Sequence, residues 1–338
     1  MISCRKIYVL CPANVKSGGP ELLHQLVYQL NQINSRPRAY IVYYNLKTNN
    51  PVVPAYKKYV GKNWIVEQKI EDNGDNLLII PETGLSQFNI CKDIQKAIWW
   101  LSVDNFLNTN YFNSLIAQVG LVHGIIAKLK GNIKNRAKLI YKADYHFYQS
   151  YYAKDYLIKK GISFDKMFYL SDYINDYYVD SSKIALNNKR KNIVLYNPKK
   201  GIEFTSKIIK ATPNYIKFVP LINMTNEQIF YNLVSSKVYI DFGNHPGKDR
   251  FPREAAILGC CVITGRRGSA NYSKDVPIEE KYKILDKDEN IPLIVKRIQD
   301  CVDNYNLRQT DFYNYRKKIT KEKAKFIESC KEIFDLKE

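Results

Sequence analysis

The sequence predicts an α/β protein built from two doubly wound domains. Three observations carry this. Apolar runs of strand length alternate with segments of helical periodicity along most of the chain. The alternation stops at a polar, charged stretch, residues 181–191 (with Asn187-Asn-Lys-Arg-Lys191), and then restarts. The 338 residues are too many for one ordinary core and suit two domains.

Residues 6–11 read as a buried parallel strand. A loop with Gly18, Gly19 and Pro20 follows, then a helix over 21–33 with Leu22, Leu23, Leu26, Val27 and Leu30 on one face. Further strands are expected at 38–44, 76–81, 96–101 and 145–150, then a helix through Lys160 and a strand at 166–170. These units form an N-terminal domain, 1–180, with 181–191 as the linker. The second domain, 192–310, opens on a strand at 192–196 and the turn Asn197-Pro-Lys-Lys-Gly201. A helix to Ala211, a strand at 215–220, a helix at 225–235 and a strand at 238–242 follow. A loop then leads to a helix at 252–258 and a strand at 260–264. Residues 311–338 read as a basic helix with a sparse apolar stripe of Phe312, Tyr315, Ile319 and Phe326.

Lys and Arg number 52 against 33 Asp and Glu, a net charge of +19. The field favours anionic partners: nucleotide phosphates, nucleic acid or an acidic membrane face. The lysines are spread instead of clustered, which also fits a general basic bias. No nucleic-acid module is visible, so a nucleic-acid-binding protein is the lesser reading. Seven cysteines without a Cys-x-x-Cys pair fit a reducing compartment. The first apolar run is too short for a secretory leader, and the stretches at 115–129 and 255–264 fall short of a membrane span. The expectation is a cytoplasmic protein. A peripheral contact with an anionic membrane is compatible with the charge.

The sharpest feature is the segment 241–259, Asp-Phe-Gly-Asn-His-Pro-Gly-Lys-Asp-Arg-Phe-Pro-Arg-Glu-Ala-Ala-Ile-Leu-Gly. A strand ends, a glycine-bearing loop turns, and Pro252 lies in the first turn of a helix. Helix N-termini present free N–H groups and partial positive charge, which suits an anion. Lys248, Arg250 and Arg253 add three cations there, and a diphosphate would relieve their mutual repulsion. The plain alternative is a β–α turn with solvated charges. No His, Cys and Asp grouping shows metal-ligand spacing, so neither metal nor cofactor is expected. No phosphate-binding Gly-x-x-x-x-Gly-Lys-Ser/Thr loop occurs.

The order of strand, Gly-bearing loop, Pro-x-Glu and Gly-Cys-Cys-Val-Ile-Thr resembles the donor half of GT-B glycosyltransferases of the family 1 and 4 type. The resemblance implies two Rossmann-like domains facing across a cleft, with the C-terminal helix packing back toward the N-terminal domain. It implies a nucleotide-sugar donor, with Glu254 holding the donor ribose and Lys199 or Lys200 pairing with the diphosphate. Gly18 and Gly19 match the Gly-Gly loop after the first strand of such enzymes. His245 stands near the place of the family's first acidic residue, which this chain lacks, and becomes a candidate at the reacting sugar. The implied reaction is sugar transfer to a saccharide or lipid-linked acceptor in surface-polysaccharide synthesis. Through Glu254 the resemblance leans toward a retaining course. An inverting enzyme would need a base, for which Glu82 and Asp104 stand at apparent strand ends and His24 one turn into the first helix. His146 would face the cleft, and His123 reads as structural. A nucleotide-sugar epimerase of the same fold is the alternative enzyme.

Overall fold

The computed structural model describes residues 1–33, 38–46, 48, 50–110, 122, 126 and 136–336. His123 and most of the apolar stretch 115–129 lie outside these residues. The chain forms two compact units, one of Met1–Asp172 with Lys325–Glu338 and one of Tyr173–Ala324. Among the described residues, no helix is long and apolar enough to cross a membrane.

The first unit contains β1 (Ile2–Cys4), β2 (Ile7–Pro12), β3 (Ala39–Tyr44), β4 (Trp64–Val66), β5 (Leu77–Pro81), β6 (Gln95–Trp100), β7 (Tyr145–Tyr148) and β8 (Met167–Tyr169). The last seven form one parallel sheet in the order β4-β3-β2-β5-β6-β7-β8. The chain adds strands on one side of β2, then returns to add the rest on the other. The switch point therefore lies between β2 and β5, where α/β sheets open a crevice at their carboxyl edge. The helices used below are α1 (Gly18–Ile33), α2 (Val103–Asn110) and α3 (Tyr151–Lys159). The central strands are buried on both faces, as parallel sheets demand, with Val9, Ile41, Ile79 and Ile98 at 0% exposure.

The sequence missed β1 and β4, each three residues long and too short for a periodic signal. It also placed Gly18 and Gly19 in a loop, whereas both lie in the first turn of α1.

The second unit has a parallel sheet of β9 (Lys191–Tyr196), β10 (Lys217–Pro220), β11 (Ser236–Asp241) and β12 (Cys261–Thr264) in the order β10-β9-β11-β12. Its switch point lies between β9 and β11. Around it stand α4 (Ser182–Leu186), α5 (Ile202–Ala211), α6 (Asn226–Ser235), α7 (Arg250–Ile257), α8 (Ile291–Asp303) and α9 (Tyr313–Thr320). Thr225 and Gln228 close a capping box on α6, a device worth about 1 kcal/mol.

The expected linker 181–191 is part of this unit. Arg190 explains why. Its guanidinium donates to the carbonyls of Ala185, Leu233, Ser236 and Leu258, at or beside the C-termini of α4, α6 and α7. Three helix ends carry partial negative charge, and one buried cation answers them. Gly259, at φ 97°, leaves the space this guanidinium occupies. Polar composition suggested an exposed linker, but the polar group serves inward.

The expected basic helix over 311–338 is likewise subdivided. After α9 comes α10 (Glu322–Ile333), within which the chain leaves the second unit, and then β13 (Phe334–Leu336). β13 pairs in parallel with β1, and Phe334 meets Phe147 edge-on in the first unit. All seven cysteines are buried and unpaired.

Candidate functional site

Two loops leave the carboxyl ends of adjacent strands at the switch point of the second unit. The first, after β9, turns at Asn197, whose side chain accepts from the Lys199 N–H at 3.1 Å. It ends at Gly201, which has a left-handed φ of 59° and caps α5. A Cβ on Gly201 would meet the Phe242 carbonyl oxygen at 2.5 Å. A Cβ on Gly243 would run into Lys200. The two loops thus approach backbone to backbone, a contact that only glycine permits.

The second loop follows β11. Asp241 ends the strand, and its carboxylate accepts from the Tyr239 hydroxyl at 3.0 Å and the Gly243 N–H at 3.1 Å. His245 is fully buried, and its ring lies between two acids. Nε2 is 3.4 Å from Asp241 and Nδ1 is 3.0 Å from Asp249, distances that make ion pairs when the ring is protonated. Asp249 also meets Lys200 Nζ at 2.6 Å. Burial alone would lower the His245 pKa, but the Asp241 and Asp249 carboxylates outweigh it and push it up to about 10. Burial likewise acts to raise the Asp241 carboxyl, yet His245 and Lys200 hold it below its ordinary value. The backbone is fixed from a third element. The Ser269 N–H donates to the His245 carbonyl at 2.9 Å, and the Ser269 hydroxyl to the Gly247 carbonyl at 2.5 Å.

The cations singled out from sequence do not form a bare cradle. Lys248 pairs with Glu322 at 2.8 Å. Arg253 is fully buried and pairs with the same carboxylate at 2.9 Å. It also donates to the carbonyls of Lys248 and Asp249. Their expected direct grip on a diphosphate is corrected by this geometry: both point into the unit, where a buried carboxylate already meets their charge. Arg250 pairs with Glu254 at 3.1 Å one helical turn on, and Glu254 is only 4% exposed. Lys200 is half-buried on Asp249, and Lys199 is exposed.

Asp241, His245 and Asp249 offer ligand atoms within 4.8 Å of one another. A different ring nitrogen lies near each acid, at ion-pair distance but without an aligned hydrogen bond to either. The sequence reading that no His, Cys and Asp grouping has metal-ligand spacing is corrected by this trio, which the fold, and not the sequence pattern, brings together.

In the first unit, the N-terminus of α1 and Glu82 both lie at the switch point, beyond β2 and β5. Gly18 is exposed, and Gly19 has room for a Cβ, with Leu101 Cδ1 3.7 Å away. Tyr56 pins the approach to α1 by donating to the Ser17 carbonyl at 2.8 Å. Glu82 is 2% exposed and accepts from the Leu101 N–H at 3.0 Å. Desolvation raises its pKa to about 8, partly offset by that N–H. Asp104, in the first turn of α2, accepts from the Tyr152 hydroxyl on α3 at 2.7 Å. Among the described residues, no ion pair is recorded for either carboxylate. His24 is spent on structure, with Nδ1 at 2.6 Å from the Pro20 carbonyl and Nε2 at 2.6 Å from the Tyr43 hydroxyl. His146, expected to face a cleft, lies fully buried in the sheet and accepts from Trp100 Nε1 at 3.0 Å.

Sequence reasoning overlooked Asp241, Asp249 and Glu322. The first two recur at four-residue spacing about His245. Glu322 is the lone acid in the basic run 316–325.

Two parallel doubly wound units, each with a switch-point crevice, define the GT-B fold. Solved structures match over nearly the whole chain. Anabaena Alr3699/HepE, described in complex with UDP, has a TM-score of 0.61 at 13% identity, over 97% of this chain and 98% of that one. The lipopolysaccharide outer core galactosyltransferase WaaB has a TM-score of 0.58 at 12% identity, over 96% and 99%. Sucrose-phosphate synthase from Thermosynechococcus elongatus has a TM-score of 0.58 at 14% identity, over 94% of each. No protein-family model matches, and no curated protein matches the sequence.

Proposed function

We propose that this chain is a glycosyltransferase that moves a sugar from a nucleotide-sugar donor to a saccharide or lipid-linked acceptor, in the synthesis of a surface polysaccharide. The observation that carries the reading is the close approach of the Gly201 and Gly243 loops at the second switch point, beside Lys199 and Lys200. Such a crevice admits the backbone-lined contact that a diphosphate needs. The similar fold of Alr3699/HepE, described with UDP and with UDP-glucose, supports the same assignment.

In this reading Lys199 and Lys200 meet the diphosphate, with the first N–H groups of α5 behind them. Developing negative charge on the leaving diphosphate is stabilised by these fixed cations, without a metal. The expected place of His245 at the reacting sugar is corrected by its complete burial, and in this reading it serves instead as a cation between Asp241 and Asp249. Glu254 takes the ribose hydroxyls. A retaining course needs no protein base, which suits a Glu82 that burial keeps protonated at neutral pH. A basic chain would also meet an anionic inner membrane face.

Calorimetric titration of UDP, GDP, CMP, ADP and TDP, with EDTA present, tests the donor site. We expect UDP to bind. Binding by none of the five would sink the proposal, and binding only with added metal would remove its metal independence. Glu254→Ala should abolish transfer while the fold persists, and wild-type turnover in that variant would take Glu254 out of the site. Interconversion of UDP-sugars with no acceptor would replace the transferase by an epimerase.

A further inference from the structure

Glu322 occupies the place that sequence reasoning reserved for a phosphate. Lys248, Arg250 and Arg253 gather near the N-terminus of α7, where positive charge opposes the helix dipole. The anion that meets two of them belongs to the protein. Glu322 is 6% exposed, with Oε1 on Lys248 at 2.8 Å and Oε2 on Arg253 at 2.9 Å. Arg253 carries the contact onward to the main chain, donating Nη2 to the Lys248 carbonyl at 3.0 Å and Nε to the Asp249 carbonyl at 3.1 Å. Asp249 is the residue that holds both His245 and Lys200. A continuous chain of contacts therefore runs from Glu322, through Arg253 and Asp249, to Lys200.

Glu322 is also the first residue of α10, the helix within which the chain leaves the second unit. Buried charges of this kind hold their geometry only while every member is present. Resting on the donor-site reading above, we propose that Glu322 is a positioning residue of that site. It fixes the main chain at 248–249, and through Asp249 it sets where the Lys200 ammonium stands. It touches no substrate.

The test uses the full chain as wild type, Glu322→Gln, Glu322→Asp and Lys248→Met. Lys248→Met leaves the Arg253–Glu322 pair intact and stands in if Glu322→Gln fails to fold. Two measurements are made: UDP affinity by calorimetry, and amide exchange of the peptide spanning 243–249. In Glu322→Gln we expect UDP affinity to fall by about tenfold or more, the scale at which supporting contacts tune a ligand site. Glu322→Asp should recover part of it, and Lys248→Met should lose less. Exchange should quicken over 243–249 and stay unchanged over 202–211. Unchanged affinity and exchange in folded variants would overturn the proposal. So would tighter UDP binding, which would make Glu322 a competitor of the donor for the two cations. If wild type binds no nucleoside diphosphate, the donor reading falls. The exchange measurement then decides alone whether Glu322 orders this loop.

Discussion

The two units share a doubly wound parallel plan, with sheets of seven and four strands, and treat buried charge in opposite ways. At the first switch point the titratable groups are held neutral. Desolvation lowers His24 to about 4, outweighing the opposing pull of the Pro20 carbonyl and Glu21, and raises Glu82 to about 8 against its backbone N–H donors. At the second, His245 is buried as deeply, yet two carboxylates raise it to about 10. Burial is the common condition, and the partner decides the protonation state. The first unit therefore buries neutral groups at its switch point, and the second a fixed ionic lattice.

The largest expected effect comes from breaking that lattice. Asp241→Asn leaves the His245 cation with one partner, and loss of a buried partner costs about 3–5 kcal/mol. Urea unfolding at pH 7 measures it. A loss below ~1 kcal/mol would mean that His245 is neutral and the contrast between the units is false.

The second effect is in pH. The folded pKa of His245 lies above its ordinary 6.5, so its contribution is full below that value and is lost as pH rises through about 10. The unfolding free energy of His245→Gln should lack this decline, and identical slopes in both proteins would refute the assignment.

Glu82 gives the opposite case. The folded state keeps a proton that the unfolded state releases above 4.5, so stability falls as pH rises from there to about 8. Glu82→Gln should flatten this slope and be the more stable protein above pH 8. Were wild type the more stable there, Glu82 would be ionised in the fold.

The smallest effect is expected at Arg250. Its guanidinium is 34% exposed, and solvent screens its pair with Glu254. Arg250→Ala should lose less than about 1 kcal/mol by the same urea assay.

Much of the fold was legible in sequence because parallel strands buried on both faces are continuous apolar runs. Residues 76–81, 96–101 and 260–264 were each located to within a residue or two of the observed strands. The short strands β1, β4 and β13 were not, since three residues carry no period and their pairing depends on distant chain. Arg190 shows how composition misleads. Asn187 to Lys191 looks like linker, yet three helix ends converge on one of its side chains.

The sequence by itself determined that two α/β units would form, and that glycines and cations would gather after β9 and β11. Strand periodicity and local turn chemistry are properties of neighbouring residues. Only the tertiary structure decided which cations face outward. Lys248 and Arg253 are claimed by Glu322, about seventy positions away, and Lys200 and His245 by Asp249. Charge is counted along the chain, but its partner is chosen across space, where a buried ion accepts whichever counter-ion folding brings within reach.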